Sequence, residues 1–326
     1  MSGTKGDFKI YQDELYTGMI EGIDQAISVL NETGSILLLT ANTRGDFRKG
    51  SFFQNIDDLV SDRDVTSTSD VSASKITQGE IKDILHNYRV GPVSQSLDSF
   101  RKISQDPSLM SFIVGQQAAE KVAQSFLNKG LAALVAAMTT EAGMVFDNTT
   151  TANTALTGSA KASVRALNRA KALMGDNQAA VRLIVGPAAV ANEMIDSQIE
   201  KLGDVSSNVV VYGGSPATLG LPFYMTDSPA LSFDDSGTAK HNVLLLTDEA
   251  LRIEQNDYLD VHSDVQVGKA NLLATWQAES SVLFAVKGFS YTGTTSTGAA
   301  LATPANWNYA FDSIKSGPGV LLVVAA

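Results

Sequence analysis

The chain has 326 residues, of which 44% are hydrophobic and 18% are charged, and its formal net charge is -11. This composition excludes general disorder, and the absence of cysteine excludes a disulfide framework, a thiolate metal site and a cysteine nucleophile. The acidic excess would repel a phosphate backbone and no apolar run approaches the roughly 20 residues of a membrane span, so we expect neither a sequence-specific DNA-binding protein nor a membrane protein.

The N-terminal part of the chain combines one predicted helix with one short strand. Between residues 13 and 30, apolar residues recur every three or four positions, which predicts one face of a helix. Residues 36–39 are predicted to be a buried strand. The first residues lack an apolar signal core, so we expect no export signal. The apolar face of the helix consists of Leu15, Met19, Ile23, Ala26, Ile27 and Leu30.

Residues 45–97 differ from the rest of the chain in pattern and in charge. Short apolar pieces flank a tract rich in Ser, Thr and Asp, which predicts two strands joined by a mobile tip. Residues 44–102 carry nine basic and nine acidic groups, so the whole charge of -11 belongs to the rest of the chain. Such a segment is either a solvated loop or a part with a mechanical task of its own.

The clearest helical pattern follows Asp106, which stands at an N-cap position, and Pro107, which is tolerated as a first helical residue. Apolar residues then keep the helical period, which predicts a helix from residue 108 to about residue 141, roughly 50 Å long. This is several times longer than a typical globular helix. Its other face is rich in Ala, Gly, Gln and Ser, so we expect that face to be covered as well.

The second half of the chain alternates helices and strands and then becomes a run of strands, which predicts the α+β class. Residues 144–158 are predicted to be a low-charge linker. The predicted helices cover residues 159–174 and 188–202, and the predicted strands cover residues 181–185, 209–212, 223–226, 243–246, 251–254, 261–267, 272–277 and 282–286.

Two Ser-x-x-Lys pairs, Ser72 with Lys75 and Ser99 with Lys102, have the spacing at which a lysine can act as the base for a nucleophilic serine. Neither pair is accompanied by the S-D-N or K-T-G motifs of enzymes that use it, and the chain has no G-x-S-x-G motif. We therefore predict no catalytic residue, and a serine hydrolase is only a remote alternative.

Metal binding would depend on three widely separated histidines and on the acids around the third. Strand alternation would place part of that group on one face, where oxygen ligands could hold a hard cation. An exposed acidic strand edge explains the same residues without a metal, so we predict no metal site and no cofactor. The histidines are His86, His241 and His262, and the acids are Asp257, Asp260 and Asp264.

The order of these elements resembles the major capsid proteins of tailed bacteriophages, which have the Hong Kong 97-type capsid fold. The long helix over residues 106–141 resembles the spine helix of that family. VRLIVGPAAVANEM at residues 181–194 resembles its axial strand, proline turn and helix, although the family often has Asn where this chain has Gly186. Residues 213–231, 244–255 and 261–286 are similar to the glycine-rich loop, the next strand pair and the closing strands.

The resemblance implies an N-terminal arm, an extended β-hairpin loop, a peripheral domain that contains the spine helix, and an axial α/β domain. We expect the arm at residues 1–45, the loop at 46–98, the peripheral domain at 99–150 with 256–291, the axial domain at 151–255, and a C-terminal extension at 292–326.

The resemblance also implies a non-enzymatic subunit that assembles with itself, as hexamers and pentamers, into the icosahedral shell of a tailed phage around double-stranded DNA. It implies a separate scaffolding protein, because the arm and the loop leave little room for a fused one, and a portal. Packaged DNA would be contacted non-specifically. The protein would be located in the virion capsid and, during assembly, in the host bacterial cytoplasm. The main alternative is the shell protein of a bacterial nanocompartment, which shares the fold.

Contacts between subunits are expected in the extended loop, where Lys75, Lys82 and Arg89 are the candidate residues. Some members of the family join a loop lysine to an asparagine of a neighbour, with a glutamate as base. Here no asparagine or glutamate can be paired with Lys75 or Lys82 by motif, so we expect a shell without covalent cross-links. Complementary charges would set the register between neighbours. In a free subunit, we expect the loop to be mobile and open to proteases.

Overall fold

The computed structural model describes residues 31, 34–41, 45–53, 66, 78–96, 107–203, 219–256, 258–268 and 270–326. Within these ranges, two six-stranded sheets and one two-stranded sheet are arranged around a long helix. This mixture of elements confirms the predicted α+β class. The predicted helix over residues 13–30 and the predicted strand over residues 209–212 lie outside the described residues.

Helices are concentrated between residues 107 and 203, and strands dominate the remaining described ranges. The helices are α1 (Pro107–Thr139), α2 (Thr151–Thr157), α3 (Val164–Ala172), α4 (Ala188–Gly203) and α5 (Gly298–Leu301). The strands are β1 (Ile36–Ala41), β2 (Phe47–Phe53), β3 (Gln78–Ser96), β4 (Val145–Asp147), β5 (Leu183–Gly186), β6 (Phe223–Met225), β7 (Ser232–Asp235), β8 (Thr238–Leu246), β9 (Leu251–Asn256), β10 (Asp260–Gln266), β11 (Leu273–Val286), β12 (Phe289–Tyr291), β13 (Trp307–Tyr309) and β14 (Gly319–Ala325).

Helix α1 confirms the predicted long helix and begins at Pro107, as expected. Its apolar residues belong to one core cluster that also contains residues of both large sheets. At Gly130, an added Cβ would lie 2.8 Å from Leu251 Cδ2, so the missing side chain lets α1 approach β9 closely. Covering of both faces is confirmed for residues 125–138, none of which is exposed. The expectation that both faces are covered is wrong for the first half of α1 in the isolated chain, where Gln117, Glu120, Lys121 and Gln124 are exposed.

The first large sheet has the strand order β1-β9-β11-β3-β2. Strand β10 pairs with residues 273–279 of β11, and β9 pairs with residues 282–286 of the same strand. Strand β3 is 19 residues long. Its residues 84–96 pair with β11, and its residues 78–84 pair with β2. Strands β2 and β3 therefore confirm the two strands predicted within residues 45–97, and they form a hairpin that extends past the paired part of β11.

Strand β11 is one continuous strand where two strands, over residues 272–277 and 282–286, are predicted. Two buried serines interrupt the apolar pattern, but both have hydrogen-bond partners. Ser280 Oγ donates to the Tyr258 carbonyl at 2.6 Å, and Ser281 Oγ accepts from Asn256 Nδ2 at 2.5 Å and from Tyr258 Oη at 2.8 Å. The strand continues because these hydroxyls are satisfied.

The second large sheet has the order β4-β14-β8-β5-β6, and β7 pairs with β8. Its side chains alternate between two covered faces, which explains the almost uninterrupted apolar runs of β5, β8 and β14. One face joins the core cluster of α1, and the other packs against α3 and α4. The first face contains Leu183, Val185, Leu244, Leu246, Leu321 and Val323, and the second contains Ile184, Val243, Leu245, Val320, Leu322 and Val324.

The last strand corrects the expectation that residues 292–326 form a C-terminal extension. Strand β14 lies between β4 and β8 in the middle of the second sheet. Its side chains are buried on both faces, so this part of the tail belongs to the core. The other expected domain boundaries stay predictions.

The expected linker over residues 144–158 is also corrected, because it contains β4 and α2. The cause is the fully buried Asn148. Its Nδ2 donates to the carbonyls of Ser159 at 2.8 Å and Lys161 at 3.1 Å, and its Oδ1 accepts from Thr157 Oγ1 at 2.6 Å. One amide thus organises a polar segment that has no apolar pattern to reveal it.

The central position of β14 predicts a severe effect of substitution at Gly319. This residue has a φ of +139°, and an added Cβ would lie 1.9 Å from the Leu245 carbonyl oxygen. We expect Gly319→Ala to lower the free energy of unfolding by about 3 kcal/mol or more in urea denaturation. Gly50→Ala is the control, because a Cβ at Gly50 would have nothing within 4 Å. Equal effects of the two substitutions would contradict the placement of β14.

Candidate functional site

The β2–β3 hairpin, defined as β2 with residues 78–84 of β3, is tied to the body by charged side chains. Arg48 Nη2 lies 2.9 Å from Asp83 Oδ2 within the hairpin, and its Nη1 lies 2.6 Å from Glu254 Oε2 on β9. Arg252 Nη2 lies 2.6 Å from Glu254 Oε1. These four side chains, called the root network below, connect the hairpin with the first sheet.

The root network is partly removed from water. The Glu254 side chain is 3% exposed and that of Asp83 is 13% exposed. Burial raises the pKa of the Asp83 carboxyl, although Arg48 opposes this. Burial alone would lower the pKa of Arg48, but the hydrogen bonds and charges of Glu254 and Asp83 hold it above its ordinary value. A buried carboxylate of this kind is costly to leave without its cation.

An apolar patch lies under the root network, on the face of the first sheet that points away from α1. It consists of Leu85, Leu283 and Ala285. The register places Leu283 opposite both Leu85 and Glu254. The ionic side chains thus lie beside buried apolar surface, where water screens their interactions less than on an open surface.

The face of the hairpin opposite the root network, which carries Phe47 and continues from the buried Ile84, has two lysines directly opposite each other, Lys49 on β2 and Lys82 on β3. Like charges in this position destabilise a strand pair. Both ammonium groups lie over the Phe47 ring, at 5.6 Å and 4.7 Å from its centroid, and Phe47 is itself 43% exposed. Glu80 Oε1 approaches Lys49 Nζ at 2.5 Å. Lys82 therefore belongs to a basic, partly apolar patch on the hairpin.

The other predicted contact residues differ in their surroundings. Arg89 is exposed on β3, directly opposite Glu279, which in turn stands opposite Asp260. Arg89 therefore stands in register with an acidic residue of its own chain. Lys75 lies outside the described residues, and so do Ser72, Ser99 and Lys102 of the two Ser-x-x-Lys pairs.

The three histidines occupy separate environments, and none belongs to a metal cluster in the part of the chain that the structure describes. Asp260, His262 and Asp264 lie on one exposed face of β10, as the alternation predicts, and Asp257 is outside the described residues. His241 Nδ1 lies 3.0 Å from Ser232 Oγ.

In the same described ranges, no helix is both long and apolar enough to cross a membrane.

His86 is buried between β3, α1 and the C-terminal segment. Lys129 Nζ of α1 lies 2.9 Å from its Nε2, and the carbonyl of Ser296 contacts its Nδ1. A neutral ring that donates from Nδ1 and accepts at Nε2 satisfies both contacts. Burial lowers the pKa of His86, the Ser296 carbonyl opposes this, and the charge of Lys129 lowers it further. Burial also lowers the pKa of Lys129.

Sequence reasoning missed the root network and the His86 contact. Arg252 and Glu254 stand two positions apart, which in a strand places them on one face, but this spacing is common. Arg48 and Glu254 are separated by 206 positions, so no local pattern could pair them. The residues that tie the hairpin to the body are visible only in the folded structure.

Comparison with known proteins identifies one family and one fold. The profile of the family described as "Gp13-like: Major capsid protein 13-like" matches residues 7–321. No curated protein matches the sequence. The solved structures that the chain resembles include the "Capsid of Ralstonia phage GP4", with a TM-score of 0.57, 12% identity, and coverage of 90% of this chain and 88% of that chain.

Two further structures have the same likeness at similarly low identity. "Microbacterium phage Oxtober96" has a TM-score of 0.52 and 11% identity, over 88% of each chain. "Mycobacterium phage Adephagia" has a TM-score of 0.50 and 12% identity, over 88% of this chain and 87% of that chain. These matches concern the fold, and they confirm the predicted Hong Kong 97-type capsid fold.

The root network predicts different costs for two neighbouring basic residues. Arg48→Ala would leave the buried Glu254 carboxylate with Arg252 alone, so we expect it to lower the free energy of unfolding by about 2–4 kcal/mol. Lys49→Ala removes an exposed ion pair with Glu80 and a contact with the exposed Phe47 ring, and it is expected to change the free energy of unfolding by less than about 1 kcal/mol. Urea denaturation of the two variants makes the comparison, and similar losses would contradict the role given to Glu254.

The His86 contact predicts a loss of stability in acid. Because the folded-state pKa of His86 lies below its ordinary value of 6.5, the unfolded chain binds this proton more tightly. The contribution is therefore present above pH 6.5 and is lost as the pH falls from there towards the lowered pKa. We expect His86→Gln to lose less free energy of unfolding than the wild type between about pH 7.5 and about pH 5.5. An equal loss in the wild type and in His86→Gln would refute the assignment.

Proposed function

The chain belongs to the major capsid protein 13-like family, and from this premise we propose that its copies assemble, as hexamers and pentamers, into a closed icosahedral shell around the double-stranded DNA of a tailed phage. The shell-forming function follows from the family. The family match over residues 7–321 is the observation that carries the proposal. The icosahedral symmetry and the packaged DNA go beyond the family match, and we propose them because the resemblance of the sequence to tailed-phage capsid proteins implies them.

We assign the contact between neighbours to the basic patch of the hairpin, formed by Phe47, Lys49 and Lys82. Two ammonium groups that face each other across a strand pair repel in the free subunit. An acidic group from a neighbouring copy would relieve that repulsion and cover the exposed Phe47 ring. The gain would lie mainly in register and orientation, because exposed ion pairs add little affinity each.

The exposed face of β10 and β11 offers such acidic groups. Asp260, Asp264 and Glu279 are exposed there. Arg89 stands directly opposite Glu279 and so offers this face a basic group of its own chain. The arrangement therefore supports Lys82 more strongly than Arg89 as a residue that contacts a neighbour. Lys75 stays a candidate by its position in the sequence.

The expected domains remain part of the proposal, with changed boundaries: β1 and β9 join the peripheral domain, and β4 and β14 join the axial domain. We propose that the first sheet and α1 form the peripheral domain, and that the second sheet with α3 and α4 forms the axial domain. Strand β14 then completes the axial domain, although it comes last in the chain. In this division, the hairpin starts from the peripheral domain.

The proposed partners and the proposed location follow from the same resemblance to tailed-phage capsid proteins. We propose that a separate scaffolding protein and a portal take part in assembly in the host cytoplasm, and that the finished shell contacts DNA without sequence preference. The acidic excess of the chain suits a surface that must not hold DNA tightly. The family and the fold indicate a structural role, and we propose that the subunit catalyses no reaction.

The nanocompartment alternative makes a different prediction about the contents of the shell. Such a shell would enclose a cargo enzyme and exclude the genome, whereas a phage shell purified from infected cells should contain nuclease-protected DNA. The serine hydrolase alternative predicts labelling of the chain by an acylating serine probe.

Electron microscopy of the purified protein, expressed with and without its scaffolding protein, tests the proposed function. We expect closed shells of uniform diameter under at least one of these conditions. Only monomers or amorphous material under both conditions would contradict the proposal.

The variant Lys82→Glu tests the basic patch separately from folding. It replaces a like-charge pair with an opposite-charge pair inside the hairpin, so the free energy of unfolding should stay unchanged or rise by up to about 1 kcal/mol. Assembly should nevertheless be impaired, most at low salt where charge contacts are least screened. Arg165→Glu makes the same change in charge at an exposed position of α3 and should assemble normally. Equal assembly of both variants would rule out the patch as a contact.

A further inference from the structure

A run of four aromatic rings connects the main core to the outer end of the hairpin. It begins at the buried Phe289, whose ring centroid lies 4.9 Å from that of Tyr309. Tyr309 lies 6.0 Å from Phe311, and Phe311 lies 5.0 Å from Phe52 on β2, edge to face at an interplanar angle of 74°. Three of these rings belong to the C-terminal part of the chain, and only the fourth belongs to the hairpin.

Two glycines leave the space that these rings occupy. Gly79 stands opposite Phe52 in the strand pair, and an added Cβ there would lie 2.5 Å from Phe52 Cζ. At Gly288, an added Cβ would lie 2.8 Å from Phe311 Cδ2 and 3.0 Å from Tyr309 Cε2. The Phe52 ring therefore packs directly onto the backbone at Gly79, and the Phe311 and Tyr309 rings pack onto the backbone at Gly288. This close fit defines where the Phe52 ring lies relative to the body.

The backbone of the hairpin is held to the same segment by a second contact. The Lys82 amide donates to Ser290 Oγ of β12 at 3.0 Å. This bond restrains β3 near the point where the hairpin leaves the sheet, but it does not reach the outer residues. The Phe52–Phe311 pair lies nearer to the outer end of the hairpin than this bond does.

We propose that Phe311 is a positioning residue for shell assembly, whose ring sets the direction in which the hairpin leaves the body. The inference rests on the proposed function, because it assumes that the hairpin reaches a neighbouring copy. A hairpin with only its root restrained can swing about that root. Contact of the Phe52 ring with Phe311 removes this freedom before assembly, which lowers the ordering cost of binding a neighbour.

Hydrogen exchange of the free subunit measures the proposed restraint directly. We expect Phe311→Ala to accelerate exchange of the protected amides of residues 47–53 by about threefold to tenfold, the range expected for loss of one aromatic pair. Phe311→Tyr keeps the ring and should exchange as the wild type does. Phe233→Ala is the matched control, because it removes a phenylalanine that is 40% exposed on β7 in the second sheet.

Gly79→Ala disturbs the same contact through its other ring, because the new methyl group would lie 2.5 Å from Phe52 Cζ and the Phe52 ring must move. It should accelerate exchange in residues 47–53 to a similar extent. If both substitutions act through one contact, the double variant should exchange no faster than the faster single variant. Additive effects in the double variant would overturn the proposal, because a merely local loss of packing at two sites would add.

Assembly gives the functional result. The wild type, Phe311→Tyr and Phe233→Ala should form shells in equal yield, and Phe311→Ala should yield fewer by about threefold or more. Wild-type exchange or wild-type shell yield in Phe311→Ala would overturn the positioning role. If the wild type itself forms no shells, the proposed function fails, and the exchange measurements still decide whether Phe311 restrains the hairpin.

Discussion

The second half of helix α1, residues 125–138, is enclosed between two sheets, and this enclosure is the constraint on which the rest of the fold depends. A helix that is covered all round cannot carry charged residues on any covered face. In residues 125–138, where no side chain is exposed, Lys129 is the one charged residue. Small residues such as Gly130 and Ala133 keep the sheets close to the helix axis. Each sheet must then present an apolar face to α1, and this requirement shapes the sequence of both.

Lys129, the charged residue in this covered part of α1, explains the polar contact with His86. The ammonium group of Lys129 is half-buried, so it needs an acceptor, and the neutral His86 ring provides one. His86 belongs to β3, and its other nitrogen contacts the segment that follows β12. One lysine of the central helix thus connects the strand of the hairpin with the C-terminal part of the chain. The contacts that satisfy this half-buried charge therefore connect segments that are distant in sequence.

The same physical reasons decide which features could be predicted from the sequence. Helix α1 was predictable because it repeats a long apolar period, and β5 and the last four residues of β8 were predictable as short apolar runs. The continuity of β11 was hidden by Ser280 and Ser281, whose partners come from residues more than twenty positions away. The segment around Asn148 was hidden for a similar reason. The tail was misassigned because the apolar residues of β14 show that it is buried but not which strands it pairs with.

The candidate site was less predictable than the fold, because its residues come together only through tertiary contacts. Basic residues in the hairpin segment could be named from composition, but Lys82 and Arg89 look equivalent in the sequence and differ only in what stands opposite them. Lys82 faces another lysine, and Arg89 faces Glu279. Repulsion in the first pair and attraction in the second are consequences of strand register, which a single sequence does not specify.

The hairpin is supported in two places by interactions of different kinds, and the difference has a mechanical consequence. The root network holds a buried carboxylate between long, flexible arginine side chains, so it resists separation of the hairpin from β9 but tolerates a change of angle. The contact of Phe52 with Phe311 is weaker, but it is made by rigid rings farther from the root. Because the Phe52–Phe311 contact lies farther from the root, it restrains rotation of the hairpin more effectively than a stronger contact at the root does. Attachment and direction are therefore set by different interactions, so loss of the aromatic contact would free the direction of the hairpin while the subunit stays folded.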